Sequence, residues 1–432
     1  MRRTAVALVC AACAPPSVWQ GLSPDHRVEF RVSASDGRTC VRMATEPETC
    51  YDGVAVHHIT FSADSRSVAY PVREGEQWFV VHDGRRGPAA DGIGGLLLTA
   101  DGARLAYTAL RDGAWHVVVD SEYGERFDAL FSGSFTFDPS GRRMAYAAQR
   151  EGRVAVVIDG RIGPWHDGIG ELAFSPGGRH VGYVARDGVK ERLIVDAAFG
   201  TEHDAISEFR FAPSGSATAY LARDGEQWFM IYGEMRVGPY PGARALALPA
   251  SGDAVFVAGD SGADRVVVNG RPGPTFGSVE APVFTRSGQA WGYIGHDSTT
   301  STVLLNGEVI DAREWASDLV LAPDGSRYAY IARRGGIASV IHDRGEATFD
   351  VVVDGTLVFT RGGSWACLVG DWNRQRLYVV VEDHSARRRF EWFRFAQVVQ
   401  SQSAGNTPRD VRVEVLRAWV AAEAELIAAG EQ

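Results

Sequence analysis

The sequence predicts an all-β fold assembled from tandem four-stranded units, and three observations carry that reading. A ten-residue phrase returns nine times, beginning at Phe61, Leu98, Phe137, Phe174, Phe211, Leu248, Phe284, Leu321 and Phe359, at intervals of 36 to 39 residues. Between phrases come β-branched runs that end in Asp83-Gly84, Asp159-Gly160, Asn269-Gly270 or Asn306-Gly307, the strongest short hairpin signal. The chain also carries 49 glycines among 432 residues, with plentiful Val, Tyr and Phe, as many short strands joined by tight turns require.

The N-terminus differs from everything after it. Arg2 and Arg3 precede an apolar stretch from Thr4 to Ala12, followed by Cys13 and Pro15-Pro16, which reads as an export signal over residues 1–12. The stretch Cys10-Ala11-Ala12-Cys13 resembles a bacterial lipobox, with Cys10 where Leu is usual, and makes Cys13 the expected lipid-attachment residue. Cleavage after Ala14, with Ala12 and Ala14 as the small-residue pair, is the alternative, and an unprocessed cytoplasmic chain is the third. A linker is expected over 13–27 and the repeat region over 28–399. Residues 28–54 match the last three strands of a unit without its first. Cys40 and Cys50 lie symmetrically about residue 45, so a hairpin there sets them face to face for a disulfide, which suits an oxidising compartment.

Within the phrase each position has a physical reason. The fifth residue is Gly in eight of nine copies, from Gly102 and Gly141 to Gly363, as a positive φ in a tight turn demands. The ninth is small (Ala69, Ala106, Ala145, Gly182, Ala329) and the tenth is Tyr in seven copies, a pairing suited to sheets packed face to face. Cys367 holds a ninth position and is expected to be a small buried residue with an inert thiol. Four strands of about five or six residues plus turns account for the repeat. Closing such units into a single large β-propeller removes exposed strand edges. The spare aromatic strand Phe390 to Val399 can complete the first unit and give ten blades; nine blades, or two smaller rings, are the alternatives. A polar linker over 400–407 then precedes a C-terminal amphipathic helix over 408–430, with Thr407 as N-cap, Pro408 at the first position and Gly430 at the end.

The phrases FSPGGRHVGY at Phe174 and LAPDGSRYAY at Leu321 resemble the WD40-like (TolB-type) propeller repeat, across about residues 57–397. The resemblance implies a propeller and says little about function. The Gly-His and Trp-Asp markers of the WD40 family proper are absent.

Composition and motifs then narrow the function classes. A formal charge of −10 argues against a nucleic-acid footprint, and no apolar run reaches the roughly 18–20 residues that span a bilayer, so any membrane contact runs through the lipid anchor. Gly362-Gly363-Ser364-Trp365-Ala366 comes nearest to a nucleophile elbow, but it lacks the final Gly and lies inside a repeat phrase. The 11 histidines are scattered, and no Cys or His pair has a zinc spacing, so neither catalytic residues nor a metal or cofactor are expected. Arg73, Arg111, Arg150, Arg186, Arg223 and Arg333 recur at the end of the second strand, where they form either a rim for an acidic partner or solvated turn residues paired with the acids that follow five of them. The expectation is a non-catalytic binding scaffold of a bacterial envelope that engages proteins through its loop face. The alternatives are a propeller hydrolase or lyase with a site at the central channel, and a sugar- or small-ligand-binding propeller.

Overall fold

The computed structural model describes residues 19–390 except 24–27, 36, 44–46, 261, 372–375 and 383, together with Arg417, Val420, Ala421 and Ala424. These residues form ten antiparallel sheets in chain order, six of four strands and four of five. In the five-stranded sheets the first strand is broken into two short pieces that both pair with the second, so every sheet is one four-stranded meander of the propeller-blade type. The chain divides into two compact units, 1–206 and 207–432. The first holds sheets one to five; the second holds sheets six to ten, the strand Ala205–Phe211 starting at the boundary.

The fourth sheet shows why the repeat folds this way. Its phrase turn closes with the Gly141 amide donating to the Asp138 carbonyl at 2.9 Å, and Gly141 sits at φ 73°. At the other hairpin Asp159 (φ 50°) and Gly160 (φ 79°) form the left-handed pair that matches strand twist. The Asp159 carboxylate then accepts the Met144 amide at 2.9 Å, tying the hairpin to the first residue of the second strand. Asp83, Asp120, Asp196, Asn269 and Asn306 make the same bond 15 residues back, to Val68, Leu105, Val181, Ala254 and Trp291. Ser65, which replaces the fifth-position glycine, still adopts φ 64°. Gly178 meets two demands at once: its φ is 71°, and an added Cβ would collide with the Asp138 carboxylate of the preceding sheet.

Arginines at the seventh phrase position join consecutive sheets. Arg143 donates from Nε to Asp159 at 2.9 Å and from Nη1 to the carbonyls of Gly178 and Arg179 in the next phrase turn, with its guanidinium 5.3 Å from the Phe174 ring. Arg104 makes the same set with Asp120, Gly141, Arg142 and Phe137. Arg327 bonds Asp343 and Gly363, and forks onto the buried Glu382 at 2.6 and 2.8 Å.

Between these straps the sheets pack through their second and third strands. Ala69 shares a cluster with Tyr107 and Ala106 with Tyr146, the small-against-large interlock read from the ninth and tenth positions, while Tyr183 packs with Val156 of the preceding sheet's third strand. Cys367 is fully buried among Ala329, Ile331, Val340 and Trp365, and burial pushes its thiol far up, so it is inert. Fourth strands lie largely exposed, and Pro164, Pro239, Pro272 and Pro274 withhold amides from three of those edges.

The two end sheets differ from the rest. The first supplies its own first strand, Trp19–Leu22, paired in register with Glu29–Ser35. The expected linker over 13–27 is thus replaced by a strand at residues 19–22, and the unit has the first strand it was expected to lack; 13–18 and 24–27 lie outside the described residues. Trp19, half-buried against Phe30 at 6.0 Å, anchors it. Phe30, Val32 and Val41 face the second sheet, whereas the cross-strand pair Arg31 and Arg42 is exposed on the other side. In the tenth sheet Ala366, Leu368, Val379 and Val381 pack against Val420 and Ala424 of the C-terminal segment. The helix expected over 408–430 lies largely outside the described residues; its four described members, Arg417, Val420, Ala421 and Ala424, carry helical backbone. Of the spare strand only Phe390 is described, ending the strand His384–Phe390. The segments 1–12 and 400–407 lie outside the described residues.

Replacing Arg143 by Ala removes three charge-assisted hydrogen bonds and is expected to cost about 1.5–3 kcal/mol of stability. Exposed Arg142→Ala should stay within about 0.5 kcal/mol. Paired urea denaturation curves check the contrast.

Candidate functional site

Of the residues singled out in the sequence, Cys13 lies outside the described residues. Cys40 and Cys50 occupy directly opposed positions on Arg38–Met43 and Thr49–Tyr51 and are joined by a disulfide. Glu48 lies close enough to group with them, but sulfurs bonded to each other offer no thiolate to a metal. Glu48 accepts from Ser33 Oγ at 3.3 Å.

The six arginines lie near the ends of the second strands, Arg111 and Arg150 at the last residue and Arg73, Arg186, Arg223 and Arg333 one residue before it, so the two groups point to opposite faces of their sheets. Four are engaged within their own unit. Arg73 donates to the Asp52 carbonyl at 3.4 Å, and Arg150 to the Arg126 carbonyl at 2.6 Å. Arg111 lies 3.6 Å from Asp112 and 5.0 Å from the Tyr123 ring. Arg333 pairs with Asp354 and stacks on Trp315 at 4.5 Å. Arg186 is exposed and Arg223 half-buried. Beside them the sequence reading missed a recurring aspartate. Asp52, Asp91, Asp128 and Asp167 stand just before the first strands and accept the turn amides of Gly75, Asp112, Glu151 and Gly188 at 2.7 to 2.9 Å. Its signal was an Asp-Gly or Asp-Ala pair at the start of successive units: Asp52-Gly53, Asp91-Gly92, Asp128-Ala129 and Asp167-Gly168.

Two cavities gather polar groups. In the first unit, one of about 520 Å³ lies between the second and third sheets, with Ser67, His82, Asp83, Tyr107 and Ser121 on its wall. Tyr107 is 1% exposed, and its hydroxyl has no hydrogen-bond partner among the described residues. Burial pushes that phenol well above its usual range.

In the second unit, a cavity of about 490 Å³ is lined by the first strands of sheets eight, nine and ten and by Arg417. Many of its lining side chains are apolar or aromatic, among them Val283, Phe284, Leu319, Leu357 and Phe359, although polar groups make up the larger share of its accessible surface. Two carboxylates reach it, Glu280 and Asp318. Asp318 sits in a β-bulge at φ 56°, where the register shifts between Ser317 and Val320. The bulge turns its side chain across to the tenth sheet, where the carboxylate accepts the Gly355 amide. Glu208 (φ 54°) does the equivalent in the sixth sheet, accepting the Ala245 amide at 2.8 Å and that of Leu246. The surroundings differ, however. Burial pushes the Asp318 carboxyl above the usual aspartate range; the Gly355 amide and then Arg417 oppose the rise, and Asp354 and Glu280 add to it. Arg417 Nη2 is 4.0 Å from Asp318, while its Nε donates to the Gly355 carbonyl at 2.8 Å. Glu280 meets His296 Nε2 at 3.2 Å.

Two outcomes follow from these geometries. Removing a buried, unpartnered hydroxyl is neutral or stabilising, so Tyr107→Phe should hold or raise the melting temperature. Tyr330→Phe, which breaks a hydroxyl bond to Asp311, should cost about 1–2 kcal/mol. For Asp318 the folded pKa lies above the unfolded one, so the stability this group contributes is present at low pH and lost as pH rises through the folded value. Asp318→Asn should therefore be more stable than the native chain at pH 7.5, with the difference closing as pH falls below about 3.9, the unfolded aspartate value. Denaturant midpoints measured across pH test the sign.

No family model matches the chain, and no curated protein matches it. Solved structures that resemble it include a crystal structure of the eukaryotic initiation factor, 12% identical, covering 74% of this chain and 95% of that one at a TM-score of 0.39. A structure of the Dos1 propeller is 12% identical, covering 66% and 91% at 0.34. A prolyl endopeptidase structure is 10% identical, covering 64% and 54% at 0.31. Likenesses of that degree say nothing of what this chain binds.

Proposed function

We propose that the chain is a non-catalytic binding scaffold of a bacterial envelope, of the TolB-type propeller class, which engages protein partners through the turns between second and third strands. In this reading the export signal is removed, Cys13 carries a lipid, and residues 408–430 form a helix that docks on the tenth sheet.

The observation that supports it most is how those turns are held. In sheets two to five each is pinned by an aspartate carboxylate from the start of its own sheet, and Arg111 and Arg150 beside them meet a carboxylate and a carbonyl. Turns ordered in advance lose little entropy when a partner binds. Their tips differ from sheet to sheet, and some are apolar and open: Val189 is 84% exposed and Ile337 57%. Rigid framing with varied tips is what recognition by loops requires.

The test is affinity capture from envelope extracts, with the native chain against Val189→Asp and Ile337→Asp variants, together with mass determination of the mature N-terminus. A specific partner lost with the tip variants, and a lipid-modified Cys13, are expected. Identical capture by native and variant chains would overturn the loop-face reading, and an unmodified Cys13 would overturn the anchor.

A further inference from the structure

We infer that the cavity beside Asp318 is a binding site for a small organic cation with an apolar body, a function separate from partner binding by the turns. The walls supply the apolar half of this recognition: Val283, Phe284, Leu319, Leu357 and Phe359 surround a space of about 490 Å³, within the usual range for small-ligand sites.

Charge supplies the other half. The groups around Asp318 come from every element packed there. Glu280 with His296 belongs to the eighth sheet, Asp354 with its partner Arg333 lies between the ninth and tenth, and Arg417 comes from the C-terminal segment. Among the described residues three carboxylates thus face two guanidiniums, with His296 engaged by Glu280. The single cation nearest Asp318 does not saturate it, because Arg417 stands 4.0 Å off and spends its Nε on the Gly355 carbonyl. Among the described residues Asp318 is thus a partly desolvated carboxylate with one amide donor, at a cavity that apolar side chains help to line. A protonated amine entering that space restores what burial took away, through a charge-assisted hydrogen bond. A neutral ligand of the same shape gains only the apolar contact, and an anion meets the Asp318 carboxylate.

Glu208 provides the internal contrast. It has the same left-handed backbone, at φ 54°, and the same kind of bond to the next sheet, but its carboxylate accepts two amides, from Ala245 and Leu246. The position in the fold therefore does not by itself create the site; the unspent acceptor capacity and the cavity do.

The experiment is calorimetric titration of the full chain at pH 7.5 with tryptamine and n-octylamine, their neutral isosteres tryptophol and n-octanol, and indole-3-propionate. At least one amine should bind saturably, its alcohol at least tenfold more weakly, and the carboxylate not at all. Asp318→Asn, verified as folded by circular dichroism, should bring the amine down to the affinity of the alcohol. Val283→Trp, which fills the cavity, should abolish binding of both. The proposal is overturned if neither amine binds, if alcohol and amine bind alike, or if folded Asp318→Asn retains the native affinity.

Discussion

The fold depends on one hydrogen bond repeated from sheet to sheet: the side-chain oxygen of the hairpin Asp or Asn accepting the first amide of the second strand. That amide sits where the phrase turn ends and the sheet begins, so a lost bond there leaves a partly buried donor unsatisfied. Making the bond requires the hairpin residue to adopt left-handed backbone, which Asp and Asn tolerate better than other side chains. The same carboxylate has a second oxygen. In the third, fourth and ninth sheets that oxygen, or its equivalent, holds an arginine that reaches the next phrase turn. A local turn preference is thereby converted into a link between neighbouring repeats, and the spacing of the phrases follows.

Much of this was legible because it repeats. Gly141, Tyr146 and Asp159-Gly160 each recur at fixed offsets, so their roles could be read without coordinates. What did not repeat stayed hidden. Trp19–Leu22 is four residues long and lies before the first phrase, so no periodicity announces it; burial of Trp19 on Phe30 fixes it instead. The straps at Arg104, Arg143 and Arg327 appear in few copies, and alanine stands at the equivalent Ala217, Ala254 and Ala290. The rim arginines were visible as either a rim or paired turn residues, and choosing between the two needed their carbonyl, carboxylate and ring contacts, which engage four of them within their own unit.

The cavity beside Asp318 was the least legible feature, for a physical reason. An acid at a bulge is conspicuous only when its backbone angle, its burial and the residue that crosses from the far C-terminal segment are known together. Glu208 and Asp318 look alike in sequence context, each following a serine in a first strand. They part company only in how many amides each carboxylate accepts and in what lies beyond. Function in a repeat protein tends to reside in such departures, where one copy leaves a group unspent that its siblings use for structure.

The first and tenth sheets finish differently from the sheets between them. The first turns paired arginines, Arg31 and Arg42, toward water; the tenth takes Val420 and Ala424 over its apolar side. A further repeat joined directly to either one would meet a face unlike those that the intervening sheets offer one another, charged in the first case and already capped in the second.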